Sequence, residues 1–130
     1  MTNKTSKRGE VTYEIECLPE DMSVRGNAMD SGDAEFDRQV EDEILSKLES
    51  GNEWAWCVVR VVARITLPNG TTLEGEDFLG GCSYDSREDF EEGAADYLDD
   101  MKGRALDNLR EVLARYAVDS RGAAEILQTL

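Results

Sequence analysis

The chain has 130 residues, 40% hydrophobic and 33% charged: one domain's worth of sequence, with enough apolar material for a core and too much for a chain disordered throughout. Lys and Arg number 14 against 29 Asp and Glu, a formal net charge of −15, so free nucleic acid and anionic membranes repel it and direct binding to either is disfavoured. There is no histidine, which removes the commonest catalytic base and metal ligand together, and neither an enzyme nor a bound metal or cofactor is expected.

The amino terminus carries Lys4, Lys7 and Arg8 with no apolar segment behind them, and reads as a flexible basic tail over residues 1–10 rather than a secretory signal. The densest apolar run, residues 58–65, is interrupted by Arg60 and Arg64 and is too short to span a membrane. A soluble cytoplasmic protein is expected, with residues 11–130 as a single domain. Cys17, Cys57 and Cys82 are odd in number and form no CxxC motif, which favours reduced thiols.

Residues 11–18 alternate, with Val11, Tyr13, Ile15 and Cys17 on one face and Thr12, Glu14 and Glu16 on the other, the pattern of a strand with one face buried. After Pro19 a loop is predicted to Gly32, with a short irregular strand around residues 24–29. Phe36, Val40, Ile44, Leu45 and Leu48 then recur at helical spacing, which predicts a helix over residues 33–50, started by Ser31 or Asp33 and stopped at Gly51. Residues 53–67 read as a long central strand whose odd positions, Ala55 to Leu67, form an unbroken apolar face. Asn69-Gly70 favours a tight two-residue hairpin turn, and a third strand returns over residues 72–79 until Gly80-Gly81 breaks it. Asp85 with Glu88 forms a capping box for a long helical region from Ser86 to Tyr116, with a break expected at Gly93. A last short helix, residues 122–129, follows the cap candidates Asp119 and Ser120. The order β-α-β-β-α(-α) predicts an α+β domain, a small, mostly antiparallel three-stranded sheet with helices on one face.

Three segments, Ser-Gly-Asn-Glu-Trp-Ala-Trp-Cys at 50–57, Leu-Gly-Gly-Cys-Ser-Tyr at 79–84 and Tyr-Leu-Asp-Asp-Met-Lys at 97–102, resemble a family of small acidic proteins encoded by bacterial phages, plasmids and integrated elements. The resemblance covers residues 44–115 and brings no activity onto particular residues. It implies a bacterial cytoplasm as the setting, and small proteins of such elements often disarm restriction enzymes or CRISPR complexes.

The charge is concentrated. Residues 85–100 hold Asp85, Glu88, Asp89, Glu91, Glu92, Asp96, Asp99 and Asp100 against the single base Arg87. As one helix of about 24 Å, this segment would carry one net charge per roughly 3.4 Å, the axial spacing of a single DNA strand. Residues 30–43 form a second cluster, in which Asp37, Glu41 and Asp42 are candidates for a parallel ridge. Two such ridges imitate two phosphate backbones. The leading expectation is therefore a non-catalytic DNA mimic, of anti-CRISPR or anti-restriction type, whose partner is a protein with a basic nucleic-acid-binding surface. Its binding residues would be Asp85, Glu88, Asp89, Glu92, Asp96, Asp99 and Asp100, with Asp37, Glu41 and Asp42 as the second ridge. Acidic helix faces are also what an ordinary solvated surface looks like, and 10 Arg to 4 Lys fits a salty cytoplasm equally.

The alternative is an accessory protein that binds a partner or dimerises through Trp54 and Trp56, which on a strand point the same way, opposite the apolar face. Enzymatic readings are weaker. Cys82 precedes a predicted helix start that would activate a thiol, yet no histidine stands by as base. Asp96-x-x-Asp99-Asp100 and Asp30-x-x-Asp33-x-Glu35 are short oxygen-rich strings without the partner motif or the register of a magnesium or calcium site.

Overall fold

The structure is a computed structural model that describes residues 9–117 and 121–130. The expected basic tail, up to residue 8, and the cap candidates Asp119 and Ser120 lie outside the described residues. The elements run β1 (Thr12–Pro19), α1 (Ala34–Glu49), a 3-10 turn (Glu53–Ala55), β2 (Cys57–Thr66), β3 (Thr72–Cys82), α2 (Arg87–Gly93), α3 (Ala95–Tyr116) and α4 (Arg121–Leu127). The strands form one antiparallel sheet in the order β1-β2-β3, the expected α+β arrangement. By contact density the chain divides into two compact units. One holds the chain up to Ile15, Val61–Asp77 and the chain from Tyr97; the other holds Glu16–Arg60 and Phe78–Asp96.

In the first unit, Val61, Ala63 and Ile65 of β2 and Leu67 just after it are fully buried, as the core face of a central strand should be, and Val62 of the other face is buried as well. α3 buries Leu98, Met101, Ala105, Leu109 and Leu113, a stripe at three-four spacing. The helix lies directly on β3 at Gly75, where a Cβ would stand 2.1 Å from the Leu109 amide nitrogen and 2.4 Å from the Ala105 carbonyl oxygen. Further along the same strand the Asn108 side-chain amide donates to the Glu76 carbonyl (2.8 Å) and Arg104 pairs with Asp77 (2.9 Å). On the opposite face of the sheet Arg64 bridges Glu14 (2.7 Å) and Glu74 (2.5 Å), which satisfies a cation on a strand otherwise committed to the core. α4 buries Ala123 and Ile126, and its Gly122 seats against the Pro68 ring.

The hairpin differs from the tight turn expected. The Gly70 amide donates to the Leu67 carbonyl and the Leu67 amide to Thr71, so Pro68 and Asn69 occupy the turn and Gly70 follows it at φ +88°. The two-residue turn that Asn-Gly favours needs positive φ at both central residues, and no residue other than glycine has one among those described. Pro68, fixed near −65°, selects the three-residue form instead.

In the second unit, α1 begins one residue inside the expected bound, because Asp33 is its cap and accepts from the Glu35 (3.1 Å) and Phe36 (3.2 Å) amides. Asp33→Ala is expected to lower stability by about 1 kcal/mol, measurable as a lower thermal midpoint with unchanged far-UV dichroism at 20 °C. The loop before it contains no strand at residues 24–29. Val24 there starts a helical turn, with its carbonyl accepting from Asn27 and Ala28, and is buried against Ile44, Ala55 and Trp56. β2 is shorter than predicted, since residues 53–55 coil into the 3-10 turn capped by Asn52, whose side chain accepts from the Trp54 amide at 3.1 Å. β3 is longer: it runs through Gly80-Gly81 to Cys82, with Gly81 at φ +64° and its amide held by the Glu20 carboxylate at 2.6 Å. On β1, all described positions are only partly covered or exposed rather than alternating cleanly, as suits an edge strand, and Glu16 pairs with Arg60.

Candidate interaction surface

The acidic segment begins on α2. Its cap is Ser86, one residue later than expected, with the hydroxyl accepting from the Asp89 amide at 3.0 Å. The Asp89 carboxylate reaches back to the Asp85 amide at 2.9 Å, so the capping box is Ser86 with Asp89 and not Asp85 with Glu88. α2 buries one side chain, Phe90, whose ring packs tilted against Trp54 with centres 5.7 Å apart and meets Tyr84 edge-on at 5.1 Å. Glu88 and Glu92, two positions to either side of Phe90, are thrown outward, with Glu91 between them, and all three are exposed. Arg87, the one base in the segment, lies 5.7 Å from the centre of the Trp54 ring.

The helix breaks at Ala94, the cap between α2 and α3, in agreement with the break expected at Gly93. Residues 85–100 are therefore not one rod, and a single charge comb 24 Å long does not exist. Asp96 is in the first turn of α3, and Asp96, Asp99 and Asp100 are exposed. Asp85 is exposed but paired with Lys47 of α1 at 2.9 Å, a contact that holds the Lys47 ammonium above its usual range.

The second ridge does not form. Glu41 is buried, 8% exposed, where it accepts from Arg25 at 3.1 Å and from the Gly26 amide at 2.9 Å. Asp42 pairs with the same guanidinium at 2.5 Å, and Asp37 is half-buried, fastened to the Ser31 hydroxyl (2.5 Å) and amide (3.1 Å). These carboxylates tie the 23–33 loop to α1. The sequence reading missed Arg25 and Lys47, whose partners lie 16 or more residues away.

The aromatic alternative is corrected too. Trp56 is 6% exposed, packed in the Val24 and Ile44 cluster, and its indole N–H donates to the Met22 carbonyl at 2.7 Å. Trp54 is half-buried in the 3-10 turn against Phe90. Neither ring belongs to a flat sheet face open to a partner.

Cys82 is buried with its S–H directed at the Leu79 carbonyl (3.3 Å), and burial pushes its pKa up, opposite to activation by a helix terminus. Burial likewise raises the Cys57 and Cys17 thiols, which contact each other. No group of three or more Cys, Asp or Glu among the described residues has a metal-holding arrangement, and Asp33 of the 30–35 string serves as the α1 cap. No helix among them is long and apolar enough to cross a membrane.

A pocket of about 240 Å³ opens beside Trp56, walled by Leu18, Pro19 and Leu48, with Cys17, Glu20 and Glu53 completing it. Compared with known proteins, the chain matches no family model, no curated sequence and no solved structure.

Proposed function

We propose that the protein is a non-catalytic interaction protein that uses a compact acidic surface to occupy a basic, nucleic-acid-binding surface of a protein partner. The supporting observation is that Glu88, Glu91 and Glu92 are exposed on a helix fastened from beneath by Phe90, with exposed Asp96 following in the first turn of α3, while the only base of the segment is drawn onto Trp54. Such a surface steers and strengthens association with a cationic groove and weakens as salt screens it over about 8–10 Å. Asp99 and Asp100 extend the acidic sequence along α3, and Asp85 and Asp89 support it through the Lys47 pair and the cap. Asp37, Glu41 and Asp42 take no part. The partner class we name is a host defence nucleoprotein complex of CRISPR or restriction type, on the resemblance of residues 44–115 to proteins of mobile elements and on the charge.

The test is capture of partners from a bacterial lysate at about 50 mM and about 500 mM salt, wild type against Glu88→Lys, Glu92→Lys and Asp96→Lys combined. Asp89 is left intact because its carboxylate holds the cap. Each reversal replaces an attraction with a repulsion, so partner affinity is expected to fall at least about a hundredfold for the triple variant with the melting curve little changed. Capture that survives both the reversals and the high salt would exclude an electrostatic docking surface here.

A further inference from the structure

We propose that the pocket beside Trp56 receives an arginine side chain presented by the protein partner. This rests on the reading of a basic partner and supplies that partner with a specific anchor. The cavity, about 240 Å³, is smaller than the roughly 300–1,000 Å³ of sites for drug-sized ligands, and suits one long side chain. Its walls are divided by chemistry. Leu18, Pro19 and Leu48 offer apolar surface to a methylene stem, and Trp56, 6% exposed, adds only the uncovered edge of its indole to the wall. The ring is held in place beside the cavity, because its N–H is bound to the Met22 carbonyl.

Two carboxylates complete the site and set its sign. Glu20 accepts from the Gly81 amide at 2.6 Å and the Met22 amide at 3.1 Å, bonds that hold its position. Glu53, in the first turn of the 3-10 helix, is exposed. A guanidinium spreads five donors in a plane and is weakly hydrated, so it can lie against apolar walls and meet two carboxylates at once; an ammonium is a compact, strongly hydrated point charge that loses more on entering an apolar pocket. Cys17 adds neutral wall, its thiol half-buried.

The experiment uses the full chain with Trp54→Phe, which leaves Trp56 as the only indole, and follows its emission during titration with N-acetyl-arginine methylamide. Saturable change with a Kd of roughly 1–10 mM is expected, the range for one small charged contact, at least about fivefold tighter than the capped lysine and norleucine compounds and absent for capped glutamate. Glu53→Gln is expected to weaken capped arginine about tenfold by removing one charge-assisted partner. In the unmodified chain, capped arginine should also slow alkylation of Cys17 by N-ethylmaleimide. No saturable change up to about 100 mM, well above the expected Kd, or equal binding of norleucine, overturns the proposal. So does binding of agmatine with exclusion of capped arginine, which would assign the pocket to a free metabolite. Capture separates the two readings. If Glu53→Gln retains the partner fully while the α2 reversals release it, the pocket assignment falls and the acidic surface stands; if capped arginine binds yet the α2 reversals keep the partner, the reverse holds.

Discussion

Gly75→Ala is expected to abolish the native fold. The added methyl would sit 2.1 Å from the Leu109 nitrogen, 2.4 Å from the Ala105 oxygen and 2.7 Å from the Leu109 Cα, and all three atoms belong to the backbone of α3. A side chain can swing aside; a helix backbone in the middle of its own buried stripe cannot move without lifting Ala105 and Leu109, both fully buried, off the strand. The loss should be at least about 4 kcal/mol, a large part of the roughly 5–15 kcal/mol that holds a domain together. Urea denaturation monitored by far-UV dichroism checks it, and a variant with a midpoint within about 0.3 M of wild type, less than 1 kcal/mol at common m-values, would show that α3 does not press on β3 at this point.

The second large effect is Phe90→Ala. Phe90 is fully buried, its ring is engaged by both Trp54 and Tyr84, and it is the sole buried side chain of α2. Truncating a buried phenylalanine costs about 3–5 kcal/mol, and here the cost falls on a seven-residue helix with no other hold on the core. Amide exchange across residues 87–93 should lose protection to the greatest extent, with the far-UV spectrum mostly preserved. Phe90→Leu, which keeps most of the volume, should recover more than half of the loss. If the acidic surface acts as proposed, Phe90→Ala should also weaken partner capture although it removes no charge, because Glu88, Glu91 and Glu92 would no longer be held in place.

Where backbone period and burial agree, the sequence was a reliable guide. Every odd position from Ala55 to Leu67 is fully buried, α1 matches its three-four spacing to within a residue at each end, and the Gly93 region does interrupt the long helix. The misses have local physical causes. Trp-Ala-Trp imitates strand alternation, yet the Asn52 side chain caps the chain into a 3-10 turn first; Gly51-Asn52 was the available signal. Gly80-Gly81 reads as punctuation, but the Glu20 carboxylate holds the Gly81 amide and the strand continues past it. The acidic ridge on α1 failed for another reason. Counting charges along a sequence ignores partners that return from elsewhere in the chain, and Arg25 claims both Glu41 and Asp42. The pocket beside Trp56 was invisible for the same reason, since its walls come from β1, α1 and the 3-10 turn.

The side-chain amide of Asn108 and the guanidinium of Arg104, laid along residues 76 and 77, have a consequence for self-association. A sheet of three strands has two rims at which another chain's strand can add, and runaway addition is how such sheets turn into fibres. Here α3 occupies part of the β3 rim, and a strand adding across residues 76 and 77 would have to displace Asn108 from the Glu76 carbonyl and pass Arg104, which disfavours stacking of copies end over end at this point.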